Sequence, residues 1–347
     1  MNFGGVTIKD IAKELGISPS AVSKALKDSH EIGEKTKALV IACAQRLNYQ
    51  PNLNAQSLKQ GNSKSIGVVV STIDNQFFSQ VINGIESVAH SRGYNVIITQ
   101  THESYELEMQ NVRHLTFRSI DGLLISLSTE TNNVDYLKYL HSKGLPIVFF
   151  DRVSDEINTN KVVADNYAGA YNATTQLIKA GYRKIAHITS SVNASITAER
   201  LKGYRAALQQ HHIDIDESLI KYCLHGGKDS AEIENALGEL FHHDNRPHAI
   251  FTASDRITTT TLSLLHKLGL KIPGDIALLG FTNTQLAEVL NPPLSSVYQP
   301  GFEMGKKATE MLISVIESRY PVTEFETMVL PTEVFIRASS QPQRLST

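Results

Sequence analysis

A chain of 347 residues, 41% of them hydrophobic, has enough apolar surface for two or three domains with a sizeable core. Its formal charge of −2 excludes a protein that is basic throughout, and two distant cysteines, Cys43 and Cys223, exclude a disulfide framework or a cysteine metal site. No apolar run is long enough to span a membrane, and the opening MNFGGVTIKD lacks the apolar stretch of a signal peptide, so a soluble, cytoplasmic protein is expected.

The charge is unevenly spread. Residues 1–62 carry eight Lys/Arg against five Asp/Glu, a net of +3, which leaves −5 for the remainder. That sign fits a nucleic-acid-binding head on an acidic body.

The head begins with VTIKDIAKELGISPSAVSKAL, Val6 to Leu26. Thr7 with Asp10 three residues on has the spacing of a capping box. Ile8, Ile11, Ala12 and Leu15 recur at helical spacing and give one apolar face. Gly16 sits where the chain must leave the helix through a left-handed conformation. Ser18 caps a second helix, with Pro19 at its first position, where the missing N–H costs nothing. Ala21, Val22, Ala25 and Leu26 are expected inside, and Ser20, Ser23, Lys24 and Lys27 outside. Two short helices around a tight turn make a helix-turn-helix, whose second helix is sized for the DNA major groove. Short hydroxyls and a lysine at its start suit phosphates and base edges.

A third helix is expected from Glu34 to Leu47, capped by Gly33, with Leu39, Val40, Ala42, Cys43 and Leu47 buried. Asn52 to Lys59 could form one short helix, too short to stand alone. Gln60 to Ser65, QGNSKS, is a polar linker. From there apolar β-branched runs alternate with helical stretches. Strands are expected at Ile66–Val70, Val96–Thr99, Gly122–Ser126, Pro146–Phe150, Ile185–Thr189, Ala249–Ala253 and Ile276–Gly280. Helices are expected around Phe78–Arg92, Tyr105–Phe117, Val134–Lys143, Ala168–Ala180, Thr197–His211 and Thr258–Leu268. This alternation predicts α/β architecture with parallel sheets and helices on both faces. Ligands in such folds bind beyond the carboxyl ends of the strands. The loops there are Asp74–Phe78, Asp151–Val153, Ser190–Arg200, Ser254–Arg256 and Thr282–Thr284.

At this point the chain resembles the lac-repressor (LacI/GalR) family of transcription regulators over nearly its whole length. The head resembles that family's helix-turn-helix, and YQPNLNAQSL, Tyr49 to Leu58, its hinge helix. IGVVVSTIDNQFF, DGLLIS, PIVFFDR, DNYAGAYNATTQLI, ERLKGY and IPGDIALLGFTN follow in the family's order. The resemblance implies an all-α head and a periplasmic-binding-protein-like body of two doubly wound parallel-sheet lobes. The expected divisions are a head at 1–50, hinge and linker at 51–64, an effector domain at 65–340 and a tail at 341–347. Its N-lobe would take about 65–163 and 293–322, its C-lobe about 164–292 and 323–340.

The resemblance also implies roles. A homodimer would present two heads to a near-palindromic double-stranded operator. Ser18, Pro19, Ser20 and Lys24 match major-groove positions; Lys24 replaces the more usual arginine and lacks its guanidinium fork. Leu58 matches the leucine wedged into the minor groove, with Ala55 beside it. Thr7, Ser23 and Asn52 complete the expected DNA contacts. A small effector, expected to be a pentose or hexose, would lie between the lobes. Its expected contacts are Asn75, Phe77 and Phe78 after the first strand, Asp151 and Arg152 after the fourth, Arg200 in ERLKGY, Ser254 with Asp255, Thr282 with Asn283, and Gln299 at a crossover. Thr282 and Ser254 depart from the family's usual aspartate and asparagine.

The expected function is a transcriptional regulator, a repressor, controlled by a carbohydrate-like effector. The alternative is an activator or a corepressor-type regulator with a non-sugar effector such as a nucleobase. An exported solute-binding protein disagrees with the head and the missing leader. An enzyme disagrees with the lack of GxGxxG after a strand, GxxxxGK[ST] or GxSxG. The pairs His211–His212 and His242–His243 read as solvated, so neither metal nor cofactor is expected.

Overall fold

The structure, a computed structural model, describes residues 6–49, 62–191, 195–242 and 246–342. It separates into two compact units, Met1–Ser63 and Lys64–Thr347. The expected hinge contacts Asn52, Ala55 and Leu58 lie outside the described residues.

In the first unit, α1 spans Ile8–Leu15, α2 Pro19–Leu26 and α3 Glu34–Arg46. The Asp10 carboxylate accepts from the Thr7 backbone N–H at 2.8 Å and from the Thr7 hydroxyl at 2.7 Å, which ties the first turn of α1 to its cap. Gly16 ends α1 with φ 65°. Ser18 Oγ accepts from the Ala21 N–H at 3.1 Å and starts α2. Ile11, Ala12, Val22, Ala25, Val40, Cys43 and Ala44 form the core, with Leu26 and Leu47 against it. Two expectations fail on α3. Leu39 is 62% exposed and Ala42 is also exposed. The inward stripe runs instead through Lys37, Val40, Cys43 and Ala44, because 3.6-residue periodicity leaves room for only one face against two short helices. Lys37 reaches that stripe by keeping its ammonium 2.7 Å from Asp28 and 2.9 Å from Glu34.

The second unit opens with β1 (Ser65–Val70), α4 (Gln76–Ser91), β2 (Asn95–Gln100), α5 (Tyr105–Phe117), β3 (Gly122–Ile125), α6 (Asp135–Ser142), β4 (Ile147–Phe150) and β5 (Lys161–Ala164). There follow α7 (Asn166–Lys179), β6 (Ile185–Ser190), α8 (Ser195–Gln210), β7 (Ile220–Cys223), α9 (Ser230–His242), β8 (Ala249–Thr252), α10 (Asp255–Lys267) and β9 (Ala277–Phe281). The chain closes with β10 (Ser295–Tyr298), α11 (Gly301–Ile316), β11 (Thr327–Leu330) and β12 (Glu333–Phe335). Two six-stranded sheets result, ordered β11-β5-β4-β3-β1-β2 and β12-β10-β9-β8-β6-β7. Every pairing is parallel except β10 with β12.

Both faces of each sheet are covered, as parallel sheets require. On β1, Ile66, Val68 and Val70 face one core and Val69 the other, the two-residue period of a strand. The expected lobe limits shift at two places. Strand β10 pairs with β9 in the second sheet, and β11 pairs with β5 in the first. The first lobe therefore regains the chain after Tyr298 and keeps it to Leu330. Local sequence cannot show this, because a strand's partner is set by distant pairing and not by its own pattern.

Helices α4 and α11 run side by side beneath the first sheet with no side chains between them at their closest point. A Cβ at Gly84 would collide with the Phe302 carbonyl oxygen, and one at Gly305 with the Val81 carbonyl oxygen. In the second lobe Gly203 of α8 meets α7 in the same way, against the Tyr167 carbonyl.

Candidate effector cleft and DNA-reading face

The strand ends of both sheets carry the residues expected at the effector site, and three residues at those ends, of which only Asp151 was expected, have strained backbone. His102, Glu103 and Asp151 have φ of 48°, 67° and 59°. Left-handed backbone at non-glycine residues costs about 1–3 kcal/mol each and tends to be kept where side-chain placement matters.

Arg152, expected at the effector site, also has partners within its own lobe. Its Nη1 donates to Glu103 Oε2 at 2.6 Å and to the Leu127 carbonyl at 3.3 Å. Glu103 also accepts from the Thr129 N–H at 2.9 Å. Burial pushes the Glu103 carboxyl up, but the Arg152 guanidinium and these hydrogen bonds outweigh it and hold it below the usual range. Arg152 thus braces three strand-end loops. Glu103 escaped sequence reading, although the rule that selects carboxyl-end loops would have found it if applied to β2.

Asp151 is 4% exposed. Ser126 Oγ lies 3.5 Å from its carboxylate, and Arg152 Nε at 3.9 Å is beyond hydrogen-bond reach. Burial raises its carboxyl above the usual range, against the pull of Arg152 and Arg200. Arg200 comes from α8 in the other lobe and is 2% exposed. Its Nε donates to Asn166 Oδ1 at 2.8 Å, its Nη1 donates to the Ala253 carbonyl, and the guanidinium lies 3.8 Å over the Phe281 ring. Its Nη2 has no partner among the described residues. Burial pulls this guanidinium down to about 9, with Asp151 opposing. Asn166, in DNYAGAYN, is the holder that sequence reading left unassigned.

The remaining expected contacts divide sharply. Asn75 Oδ1 accepts from the Phe77 and Phe78 N–H groups and caps α4, and Ser254 Oγ accepts from the Ile257 N–H and caps α10. Phe77 and Phe78 belong to the first lobe's core and meet edge to face at 5.2 Å, which accounts for their burial. Thr282 donates its hydroxyl to Asp255. Burial raises the Asp255 carboxyl, and the Thr282 hydrogen bond opposes that. The Asn283 side chain donates to Gln80 Oε1 at 2.6 Å and to the Gln299 carbonyl at 2.7 Å, and accepts from the Gln299 N–H at 3.0 Å. It ties the second lobe to α4 of the first. Gln299 keeps a buried Nε2 without a partner among the described residues. Of the expected set, Arg152 Nε, Arg200 Nη2 and Gln299 Nε2 are therefore the buried polar atoms left without a partner among the described residues.

Behind Arg200, His187 is stacked between Tyr204 at 5.0 Å and Phe251 at 4.9 Å. Burial pulls its pKa down to about 3. The folded chain thus holds this ring neutral while the unfolded chain protonates it near 6.5. The unfolded state binds the extra proton, so stability falls as pH drops from about 6.5 toward 3, by at most about 1.4 kcal/mol per pH unit. Urea unfolding of wild type and His187→Asn at pH 6.5 and 4.5 should show a smaller acid loss in the variant. Parallel losses would remove His187 as the cause.

On the head, Ser18, Pro19 and Ser20 are exposed at the start of α2, as is Thr7 before α1, and Ser23 and Lys24 are half-exposed one turn further along α2. Lys24 Nζ pairs with Glu31, which sequence reading missed. Ala21 is half-exposed rather than inside.

Residues 7–52 match the family described as bacterial regulatory proteins, lacI family. Residues 63–336 match periplasmic binding proteins and sugar binding domain of LacI family. The chain belongs to the LacI family. It is 33% identical to the Ribose operon repressor of Haemophilus influenzae over 96% of this chain and 98% of that one. It is 32% identical to the HTH-type transcriptional repressor PurR of Vibrio atlanticus over 90% of this chain and 92% of that one. A solved structure, the transcriptional regulator CelR-cellobiose complex, has a TM-score of 0.69 at 27% identity and covers 96% of this chain and 99% of that one. This LacI-family chain is a DNA-binding transcriptional repressor, and these relatives are regulators rather than enzymes. No helix among its described residues is long and apolar enough to cross a membrane. None of them form a group of His, Cys, Asp and Glu side chains that could hold a metal ion.

Proposed function

We propose that the repressor is controlled by a small, uncharged, polyhydroxylated effector held between Asp151 of the first lobe and Arg200 of the second, with Gln299 at the crossover. The observation that carries this reading is Arg200: a buried guanidinium with two nitrogens committed and the third unpaired. A buried unpaired donor costs about 1–3 kcal/mol, and more when charged, unless something satisfies it. A sugar hydroxyl can accept from Arg200 and donate to Asp151, and adjacent hydroxyls can do both at once. The opposed charges of Asp151 and Arg200 cancel, which disfavours a charged effector. Two of the relatives' names, a ribose operon repressor and a cellobiose complex, point the same way, while the name PurR does not. A thermal-shift screen of sugars and nucleobases should show stabilisation by a sugar. Stabilisation by a nucleobase and by no sugar would overturn the reading.

The DNA contacts proposed are Thr7, Ser18, Pro19, Ser20, Ser23 and Lys24 on the head, and Asn52, Ala55 and Leu58 in the hinge. Lys24 must exchange Glu31 for a base or phosphate as it binds. The functional unit is a homodimer on a near-palindromic operator. Strands β2 and β7 end their sheets and leave Ile98 and Tyr222 partly exposed, edges that a second copy would cover. Replacing Leu58 by glycine should weaken binding to an operator duplex at least about tenfold, by loss of the minor-groove wedge, with sugar-induced stabilisation unchanged. Equal operator affinity, read by fluorescence anisotropy, would remove Leu58 from the interface.

A further inference from the structure

The chain enters the second unit at Lys64, and that residue is held from every side. Its backbone is left-handed, with φ 49°. Its N–H donates to Asp121 Oδ2 at 2.8 Å, and its carbonyl accepts from the Asn95 N–H at 2.7 Å. Its ammonium lies 4.1 Å over the Tyr94 ring and 3.5 Å from Glu317. Glu317 also binds Arg92, and the Tyr94 hydroxyl donates to it at 3.4 Å.

Two of these partners are helix ends. Arg92 caps α4 and Glu317 caps α11. The opposite ends of the same two helices lie at the contact between the lobes. Gln80, in the first turns of α4, accepts from Asn283 at 2.6 Å and from the Tyr298 hydroxyl at 3.4 Å. Gly301, which begins α11, follows Gln299, whose backbone is held by Asn283. Each helix has 16 residues, a span of about 24 Å. Gly84 and Gly305 press their backbones together, so neither can slide without displacing the other.

We propose that α4 and α11 act as one rigid strut that carries the relative position of the lobes to Lys64, where the linker to the DNA-binding head leaves the body. Glu317 is the positioning residue at the output end and Gln80 the one at the cleft end. This rests on the reading that the state of the cleft controls operator affinity, and it names the route.

The test is a double-mutant cycle in DNA affinity, which needs no knowledge of the effector. The probe is a duplex selected by the wild-type protein from a random-sequence pool. Gln80→Leu removes the acceptor between the lobes, and Glu317→Gln weakens the hold on Lys64. Each should lower affinity about three- to tenfold, and the double variant should match the weaker single variant within twofold. Lys64→Met should reproduce Glu317→Gln from the other side of the contact. Thermal unfolding of each variant checks that the body remains folded. Losses that multiply in the double variant, or no loss in either single variant, would overturn the strut. Failure of effector control is distinguishable, because it would appear in the wild type as a stabilising sugar that leaves duplex affinity unchanged.

Discussion

Arg200→Met should lower effector affinity at least about a hundredfold while operator affinity without effector changes less than threefold. Methionine keeps an unbranched apolar stem over the Phe281 ring but removes all three guanidinium nitrogens. The unpaired Nη2 is the donor proposed for the effector, and its charge is what balances Asp151. A hundredfold loss corresponds to about 2.7 kcal/mol, within the range for one or two hydrogen bonds to a charged group. Isothermal titration with the sugar found in the stabilisation screen gives the first number, and anisotropy on an operator duplex the second. Undiminished sugar binding would move the site away from Arg200. Arg200→Lys is the sharper companion variant. It keeps the charge but loses the planar fork that serves Asn166 and Ala253 together, so it should recover only part of the affinity.

Gly305→Ala should destabilise the body by about 3 kcal/mol, whereas Gly238→Ala should stabilise it by about 0.5–1 kcal/mol. The two substitutions are chemically identical and both lie inside helices. At Gly238 on α9 nothing stands within 4 Å of the added methyl, so only the gain in helix propensity remains. At Gly305 the methyl meets the Val81 carbonyl and the Ile85 backbone of α4. Backbone cannot rotate out of the way as a side chain can, so the helices must separate and the core beneath them loosen. Urea midpoints for the two variants and wild type give the signs directly. Equal and small effects would mean that the helices tolerate separation, which would also remove the rigidity on which the strut depends.

Much of this molecule is legible in its sequence because the signals are local. The capping pair Thr7 and Asp10, the turn at Gly16 and the cap at Ser18 lie within twelve residues, and the structure follows them. The alternation of strands and helices likewise needs only short-range periodicity. What escaped is what depends on partners far along the chain. The partner of Arg152, Glu103, lies 49 residues away and carries no local signal that the two belong together. Asn283 reads as a replacement effector contact until Gln80, 203 residues away, takes its amide. Asn75 and Ser254 sit at the expected loops, but their side chains serve helix ends, a use that polar residues at strand ends share with ligand binding. Phe77 and Phe78 show a related ambiguity, since an aromatic pair after a strand can line a cleft or fill the core below it. Helices α9 and α11 and strands β5, β7, β10, β11 and β12 went unassigned, the strands because three or four residues next to polar loops carry too short a periodic signal.

The return of β11 to the first sheet and of α11 to its underside bears on how the protein is made. Met304, Ala308, Met311, Leu312 and Ile313 of α11 belong to the same core as Ile66 and Val68, more than 230 residues earlier. While the ribosome is still short of residue 301, that core lacks one wall, and until β11 emerges β5 remains an unpaired edge. The lobe that begins first is thus among the last parts to be completed. A nascent chain must carry its DNA-binding head and an open, sticky sheet together through most of synthesis, a period in which chaperone protection matters most. A premature stop near residue 300 would therefore yield no half-working repressor with a severed sensor, only a head attached to a sheet prone to aggregate.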